Sequence, residues 1–124
     1  LDVDEVLLDL GAGSAFNGAF MLADGPRWYA SVPRVTHTGP FNPHFVADIG
    51  AAYLVGGLAL VARAWRPRYW PAAVAGAAFF AARAVIHVAD IAMGHSAYPT
   101  MDAGLVIVPA ALALWAAFPG KAET

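Results

Sequence analysis

The sequence predicts an all-α integral membrane protein, a bundle of four helices that cross a lipid bilayer. Residues 45–62, 71–93 and 103–118 are mostly apolar, and a hydrocarbon core of about 30 Å needs about 20 such residues per helix. Hydrophobic residues make up 60% of the chain and charged residues 13%, whereas soluble domains carry about 45–50% and about 25%. A soluble domain of this length could not bury so much apolar surface, so we expect residues 1–124 to form one transmembrane domain.

Charge and composition exclude several classes of function. The net charge is −2 and no basic run is present, so nucleic-acid binding is not expected. The chain has no cysteine, which excludes disulfides and thiolate metal sites. Asp2, Asp4 and Glu5 stand where a signal peptide would carry basic residues. No nucleotide-binding loop and no ordered Ser/His/Asp set is present, so the sequence favours a protein without catalytic residues of its own.

The first predicted helix, residues 6–23, is the least apolar of the four. Asp9, Ser14 and Asn17 interrupt it. Asp2 or Asp4 is a suitable N-cap, and acidic residues are favoured in a first helical turn. We expect a spanning helix; the alternative is an amphipathic helix that lies on the membrane surface.

The second predicted helix, near residues 44–64, follows the longest connection of the chain. Four prolines and two glycines in residues 24–43 rule out a continuous helix there. Asn42 is placed to cap the helix, and Pro43 suits its first position, where a missing N–H costs nothing.

Short polar segments separate the last two helices. Residues 63–70 form a basic and aromatic turn, after which a helix is expected over 71–93. The fourth helix is expected near 102–118, with Thr100 or Asp102 as its N-cap.

The distribution of lysine and arginine predicts the orientation. One end of the bundle, which includes both termini, carries Arg63, Arg66, Arg68 and Lys121. The other end carries Arg27 and Arg34. Because cytoplasmic loops are enriched in basic residues, we expect the termini in the cytoplasm and the protein in a bacterial inner membrane.

Two sequence patterns bear on how the helices pack. Residues 12–16 resemble 75–79, and residues 48–60 resemble 102–114, which raises the hypothesis of two pseudo-repeated hairpins. Small residues let helix backbones approach closely in lipid, where no hydrophobic drive brings helices together. We expect such contacts at the residues Gly11, Ala15 and Gly18 of the first helix, Ala52 and Gly56 of the second, and Gly76 of the third.

Five polar side chains near the outer end of the second and third helices are the candidate functional residues. His44 and Asp48 share one helix face at a spacing of i,i+4, and Arg83, His87 and Asp90 share another. Ionisable groups inside a membrane are costly and find partners. We therefore expect the five to face one another across the helix interface, with Asp48 close to Arg83 or His87.

Three interpretations of this cluster stay open. The residues could neutralise one another in a purely structural role. His44, Asp48, His87 and Asp90 could bind a divalent metal, although Arg83 would repel it. The cluster could also bind a small molecule or carry protons, for example at a quinone headgroup, with His87 as the titrating group and Arg83 as the anchor.

Residues 39–54 (GPFNPHFVADIGAAYL) resemble a segment of small uncharacterised bacterial membrane proteins. The plan of four short Ala- and Gly-rich helices with a charged group at a helix start is similar to the DoxX-like group. That resemblance implies a four-helix membrane bundle and an association with quinone-linked or sulfur redox chemistry. It carries over no catalytic residue.

From these patterns we expect an accessory subunit or small-ligand binder embedded in the lipid bilayer, within a larger membrane complex or self-associated. The alternative is a small membrane oxidoreductase that uses a metal or a quinone at the His/Asp/Arg cluster.

Overall fold

The computed structural model describes residues 1–120, and every regular element in that range is helical. The α-helices are α1 (Val3–Ala23), α2 (Gly25–Ser31), α3 (Pro43–Trp65), α4 (Trp70–Ala92), α5 (Pro99–Asp102) and α6 (Val108–Ala117). Short 3-10 turns cover Val35–Thr38 and Pro67–Tyr69, and a π-helical turn over Ala103–Ile107 joins α5 to α6. The fold is thus an all-α bundle, as predicted.

Four of its helical segments are long and apolar enough to cross a membrane: Val3–Ala23, Pro43–Trp65, Pro67–Ala92 and Pro99–Ala117. Their mean hydropathy lies between 1.4 and 1.9, and no more than 33% of any of them is buried inside the protein. So large an exposed apolar surface is typical of lipid-facing helices. The prediction of an integral membrane four-helix bundle is confirmed. We refer to Pro99–Ala117 as the fourth span.

The four spans run up and down in chain order. α1 packs most closely on α3, α3 packs on α4, α4 packs on the fourth span, and the fourth span closes the ring on α1. We call the end with residues 24–42 and 93–98 the loop end, and the end with residues 66–69 the turn end. α1 therefore lies within the bundle rather than apart from it on a surface.

Glycines set the close approach of α1 and α3. A Cβ atom on Gly11 would lie 2.7 Å from the carbonyl oxygen of Gly57, and one on Gly18 would overlap the carbonyl of Gly50. Real side chains do not tolerate such distances, so this interface depends on glycine. The predicted small-residue contact face of α1 is confirmed.

The matching face of α3 was only partly predicted. α3 presents Gly50 and Gly57 to α1, whereas Gly56 faces α4 and lies against Gly76. The pairing of Gly56 with Gly76 places a second close backbone contact between α3 and α4. α3 therefore uses small residues on two sides, and its rotation about its own axis is fixed by both neighbours.

The turn half of the bundle is filled by an apolar core. Its buried members are Val6, Leu7, Leu60, Ala73, Ala77, Ala113, Ala116 and Ala117. Arg63 is buried beside them, with 2% of its surface exposed. Its Nε and Nη2 atoms donate to the carbonyl oxygens of Ala117 and Phe118, at 3.0 and 3.3 Å. Arg63 thus satisfies carbonyl groups that the end of α6 leaves without helical partners.

Two predicted helix caps are confirmed and one is wrong. The Asn42 side chain accepts a hydrogen bond from the N–H of Phe45 at 3.0 Å, and Asp2 caps α1. The fourth span begins at Pro99, one turn earlier than predicted, so neither Thr100 nor Asp102 caps it. Asp102 lies inside the helix instead and is 9% exposed.

The fourth span is interrupted just after Asp102. Residues 103–107 form the π-helical turn, and a regular α-helix resumes at Val108. Pro109 follows immediately; it has no N–H to donate to the carbonyl four residues earlier, and its ring crowds that carbonyl. The wide turn accommodates this proline inside a membrane-length helix.

Candidate functional site

A half-open cavity of about 1070 Å³ lies at the loop end of the bundle. All four spans line it, and the connection 24–42 forms its roof. Ligand sites in proteins are commonly cavities of about 300–1,000 Å³ with apolar walls and a few placed polar groups. This loop-end cavity is therefore the candidate functional site.

Three polar contacts hold the first part of the roof. Asp24 caps helix α2, and its carboxylate accepts a hydrogen bond from the N–H of Arg27. The indole N–H of Trp28 donates to the side-chain oxygen of Asn17 on α1, at 2.9 Å. Tyr29 donates its hydroxyl to the carbonyl of Gly39 at 2.6 Å, which closes the connection on itself.

Arg34 fastens the second part of the roof to the bundle. Its guanidinium forms an ion pair with the carboxylate of Asp102. The two side chains are 17% and 12% exposed. Arg34 has φ +76°, a left-handed conformation that costs energy for a residue with a side chain. Such a conformation persists only where surrounding contacts hold it, and the buried ion pair is one of them.

Asp102 is the polar centre of the cavity. Besides Arg34, the hydroxyl of Ser96 donates to its second oxygen. Nδ1 of His87 lies 3.8 Å from its first oxygen. Gly94, with φ +74°, ends α4 and turns the chain so that Ser96 reaches this carboxylate. π-helical turns occur frequently at functional sites, and Asp102 immediately precedes one.

Arg83, His87 and Asp90 of the predicted cluster all line the cavity. The guanidinium of Arg83 lies over the ring of Tyr53, at 5.2 Å from its centroid. Among residues 1–120, Arg83 makes no hydrogen bond and no ion pair. The three residues of the predicted cluster that lie on α4 therefore face the cavity, as expected.

His44 and Asp48 do not face the cavity, and this part of the prediction is wrong. They pair with each other at 3.3 Å on the outside of the bundle, with side chains 90% and 64% exposed. The face of α3 that lines the cavity carries Phe45, Ile49 and Tyr53 instead. These positions lie about 100° further round the helix. The glycine contact with α1 fixes that rotation, and the i,i+4 spacing alone could not reveal it.

The predicted four-ligand metal set is not assembled. His44 and Asp48 lie outside the bundle, while His87 and Asp90 line the cavity. Within residues 1–120, no group of three or more His, Asp or Glu side chains is placed to hold a metal ion. The geometry therefore does not fit a site built from these four residues.

The other two histidines, His37 and His95, also lie at the loop end. Nε2 of His37 is 3.0 Å from the hydroxyl of Tyr98, and the two rings meet edge to face. This contact joins the roof to the connection 93–98. His95 lines the cavity nearby.

A smaller cavity of about 60 Å³ continues the site toward the middle of the bundle. It shares Ser14, Tyr53 and Arg83 with the loop-end cavity. The volume is sufficient for a few water molecules or a short apolar group. Leu60 and Ala113, which belong to the apolar core of the turn half, form part of its lining. The space thus ends inside the bundle.

Sequence reasoning missed the Arg34–Asp102 pair as a site. Asp102 was considered as a cap of the fourth helix and not as a site residue, although a charge at the start of a membrane-length helix is itself a signal. Its partner lies 68 positions away in an irregular connection. No spacing rule links two such positions.

No family model, curated protein or solved structure matches this chain. The resemblance to the DoxX-like group therefore remains a hypothesis. The fold and the cavity define the chain as a four-helix membrane protein with a polar-centred cavity at one end.

Proposed function

We propose that this protein binds a small amphipathic molecule in the loop-end cavity. The observation that carries the proposal is the cavity itself, about 1070 Å³ of space between four membrane-length helices. Protein interiors are close-packed, so a space of this size between helices leaves room for a ligand.

The walls of the cavity combine two kinds of surface. Apolar side chains dominate its outer walls: Phe45, Ile49, Phe79, Ile86 and Leu105. Arg34, His87 and Asp102 form a polar group beneath the roof. A ligand with one polar end and an apolar body matches both surfaces.

The cavity also has a side that faces lipid. Gly13 of α1 and Leu105 of the fourth span both line it, and both are exposed, Leu105 by 58%. Nearer the turn end, α1 and the fourth span both contribute to the apolar core, with Leu7 and Ala113 among its members. The exposed Gly13 and Leu105 therefore mark a lipid-facing side of the cavity, from which a molecule dissolved in the bilayer can approach.

The apolar core of the turn half favours binding over transport through the bundle. Leu7, Leu60 and Ala116 are fully buried there. On the predicted orientation, with the termini in the cytoplasm, the cavity opens to the outer side and the outer leaflet. A binding role is compatible with an accessory subunit of a larger membrane complex.

Quinone-linked redox chemistry is a second candidate, supported by His87. Its ring nitrogen lies 3.8 Å from the carboxylate of Asp102 and lines the cavity. A histidine held beside a carboxylate is suited to exchange protons with a quinone headgroup. The DoxX-like resemblance points the same way. A quinone is itself amphipathic, so this candidate uses the same cavity.

Trp28 offers a direct test of binding. It lies at the loop end and lines the cavity, whereas Trp65, Trp70 and Trp115 lie toward the turn end. Brominated molecules quench tryptophan fluorescence on close contact. We would titrate the purified protein in a neutral detergent with ω-bromododecanoate, ω-bromododecanol and ω-bromododecylamine, with Trp28→Phe as the background.

Two matched variants separate the cavity from the lipid-facing surface. A Cβ atom on Gly13 would meet no atom within 4 Å, so Gly13→Phe can add a ring to the cavity wall without a backbone clash. Ala12→Phe adds the same ring on an exposed, neighbouring position that does not line the cavity. We expect saturable quenching of Trp28 by at least one probe, lost in Gly13→Phe and kept in Ala12→Phe. Quenching by no probe, or equal quenching in both variants, would overturn the proposal.

A further inference from the structure

Arg83 is a cation at membrane depth without a carboxylate partner. It lies nine residues before the end of α4 at Ala92, which is about 14 Å along the helix axis from the loop end. Its guanidinium lies over the Tyr53 ring and, among residues 1–120, pairs with no acid. An intramembrane charge is costly and marks a functional site by default.

Arg34 leaves a second guanidinium donor unused. One of its terminal nitrogens pairs with Asp102, but its buried Nε atom has no hydrogen-bond partner within residues 1–120. A buried unsatisfied donor costs about 1–3 kcal/mol, and more when the group is charged. Natural proteins keep few such atoms, so each calls for an explanation such as a bound group.

The two arginines belong to one connected group. Arg83 lies one helical turn from His87, and His87 lies 3.8 Å from Asp102, the partner of Arg34. All four side chains line the same cavity. Both arginines thus line one cavity, and each has guanidinium N–H groups without a partner among residues 1–120.

Acidic side chains also line the cavity, but they do not neutralise the charge of Arg83. Asp102 is already engaged by Arg34 and Ser96. Asp9 is exposed, and Asp90 lies in the last turn of α4 near the loop end. Neither Asp9 nor Asp90 forms an ion pair with Arg83, and a guanidinium stays charged in proteins. Within the described part of the chain, Arg83 is therefore the group that lacks a counter-ion, while Arg34 keeps an unused N–H donor beside its ion pair.

We infer that the ligand carries an oxyanion, carboxylate or phosphate in class, bound by Arg83 together with Arg34. This inference rests on the proposed function, because it names the polar end of the amphipathic molecule that the cavity binds. Guanidinium groups bind carboxylates and phosphates through paired N–H donors, which gives strong and directional contacts. The apolar part of the ligand then lies against Phe45, Ile49 and Leu105 or extends toward the lipid-facing side of the cavity.

The three brominated probes test the charge of the polar end. They share one chain length and differ only in the head, which is an anion, a neutral hydroxyl or a cation. We expect ω-bromododecanoate to quench Trp28 with an affinity about tenfold above that of ω-bromododecanol, with the amine weakest. Arg83→Met should lower the affinity for the acid to that for the alcohol and leave the alcohol unchanged. Arg68→Met, an exposed arginine at the turn end, is the matched control and should change neither.

The outcomes distinguish this inference from the proposed function. Equal affinity for ω-bromododecanoate and ω-bromododecanol, or preference for the amine, would overturn the assignment of an oxyanion. It would leave the proposal of a ligand-binding cavity intact. Binding of no probe would overturn both. The three probe head groups can be compared on the wild-type protein alone, so this test stands even if Arg83→Met fails to fold. Acetate and dodecanoate can each be tested as competitors of ω-bromododecanoate. If acetate displaced it as effectively as dodecanoate does, the amphipathic character of the ligand would be overturned.

Discussion

Arg34 and Asp102, 68 positions apart in the chain, form a largely buried ion pair that ties the roof of the cavity to the fourth span. The same carboxylate accepts a hydrogen bond from Ser96 and lies near His87. One acidic side chain thus organises the roof, the connection 93–98 and α4 around the cavity.

Loss of Arg34 alone should destabilise the protein strongly. Arg34→Met leaves the Asp102 carboxylate buried without its cation, which typically costs about 3–5 kcal/mol. The double variant Arg34→Met/Asp102→Asn should be less destabilised than the single one, because no buried charge is stranded. Unfolding by a denaturing detergent, followed by circular dichroism, measures both.

Arg27→Met is the control for that pair of variants. Arg27 also pairs with an acid, Asp24, but its side chain is 76% exposed. Exposed pairs contribute little, so no clear change is expected. A double variant no more stable than Arg34→Met would contradict the assignment of a buried pair.

The α1–α3 interface predicts opposite effects of one substitution at two glycines of α1. Gly18→Ala places a methyl group against the Gly50 carbonyl and should destabilise by about 1–3 kcal/mol. Gly13→Ala meets nothing within 4 Å and should stabilise by up to about 1 kcal/mol through helix propensity. The same unfolding assay compares them. Equal effects at the two positions would argue against this helix contact.

Arg63 should matter far more than its exposed neighbour Arg66. Arg63→Met removes the donors to the carbonyls of Ala117 and Phe118 at the end of α6 and should lower stability by about 2–3 kcal/mol. Arg66→Met, on an exposed side chain that stacks on Trp65, should change stability little. Comparable losses in both variants would contradict the buried placement of Arg63.

The outward placement of His44 and Asp48 leads to a prediction about binding. His44→Ala and Asp48→Ala should leave Trp28 quenching by ω-bromododecanoate unchanged, because both side chains are exposed outside the cavity. His87→Ala, which alters the cavity wall, should weaken it. A loss of binding in either exposed variant would restore the original five-residue cluster as the site.

The sequence was sufficient to predict the helices and their approximate ends. Apolar run length and the Pro and Asn signals place α3 at Pro43, with Asn42 as its cap. The fourth span begins earlier than predicted because Pro99 suits a first helical turn and Asp102 finds a tertiary partner inside the helix. Run length cannot show such a partner.

The site was predictable only in part, for a physical reason. Helical spacing correctly groups Arg83, His87 and Asp90 on one face of α4. It does not say which way α3 is rotated, since that depends on Gly50 and Gly57 packing against α1. In the structure, that packing turns His44 and Asp48 outward. Arg34 belongs to an irregular connection with no periodicity to read.

The most direct test of the account is the number of probe molecules that one protein molecule binds. Native mass spectrometry of protein released from neutral-detergent micelles, after incubation with ω-bromododecanoate, measures it. The account predicts one bound molecule in the wild type and in Ala12→Phe, and none in Gly13→Phe, which adds a ring to the wall of the loop-end cavity. Equal occupancy in all three proteins, or none in the wild type, would contradict it.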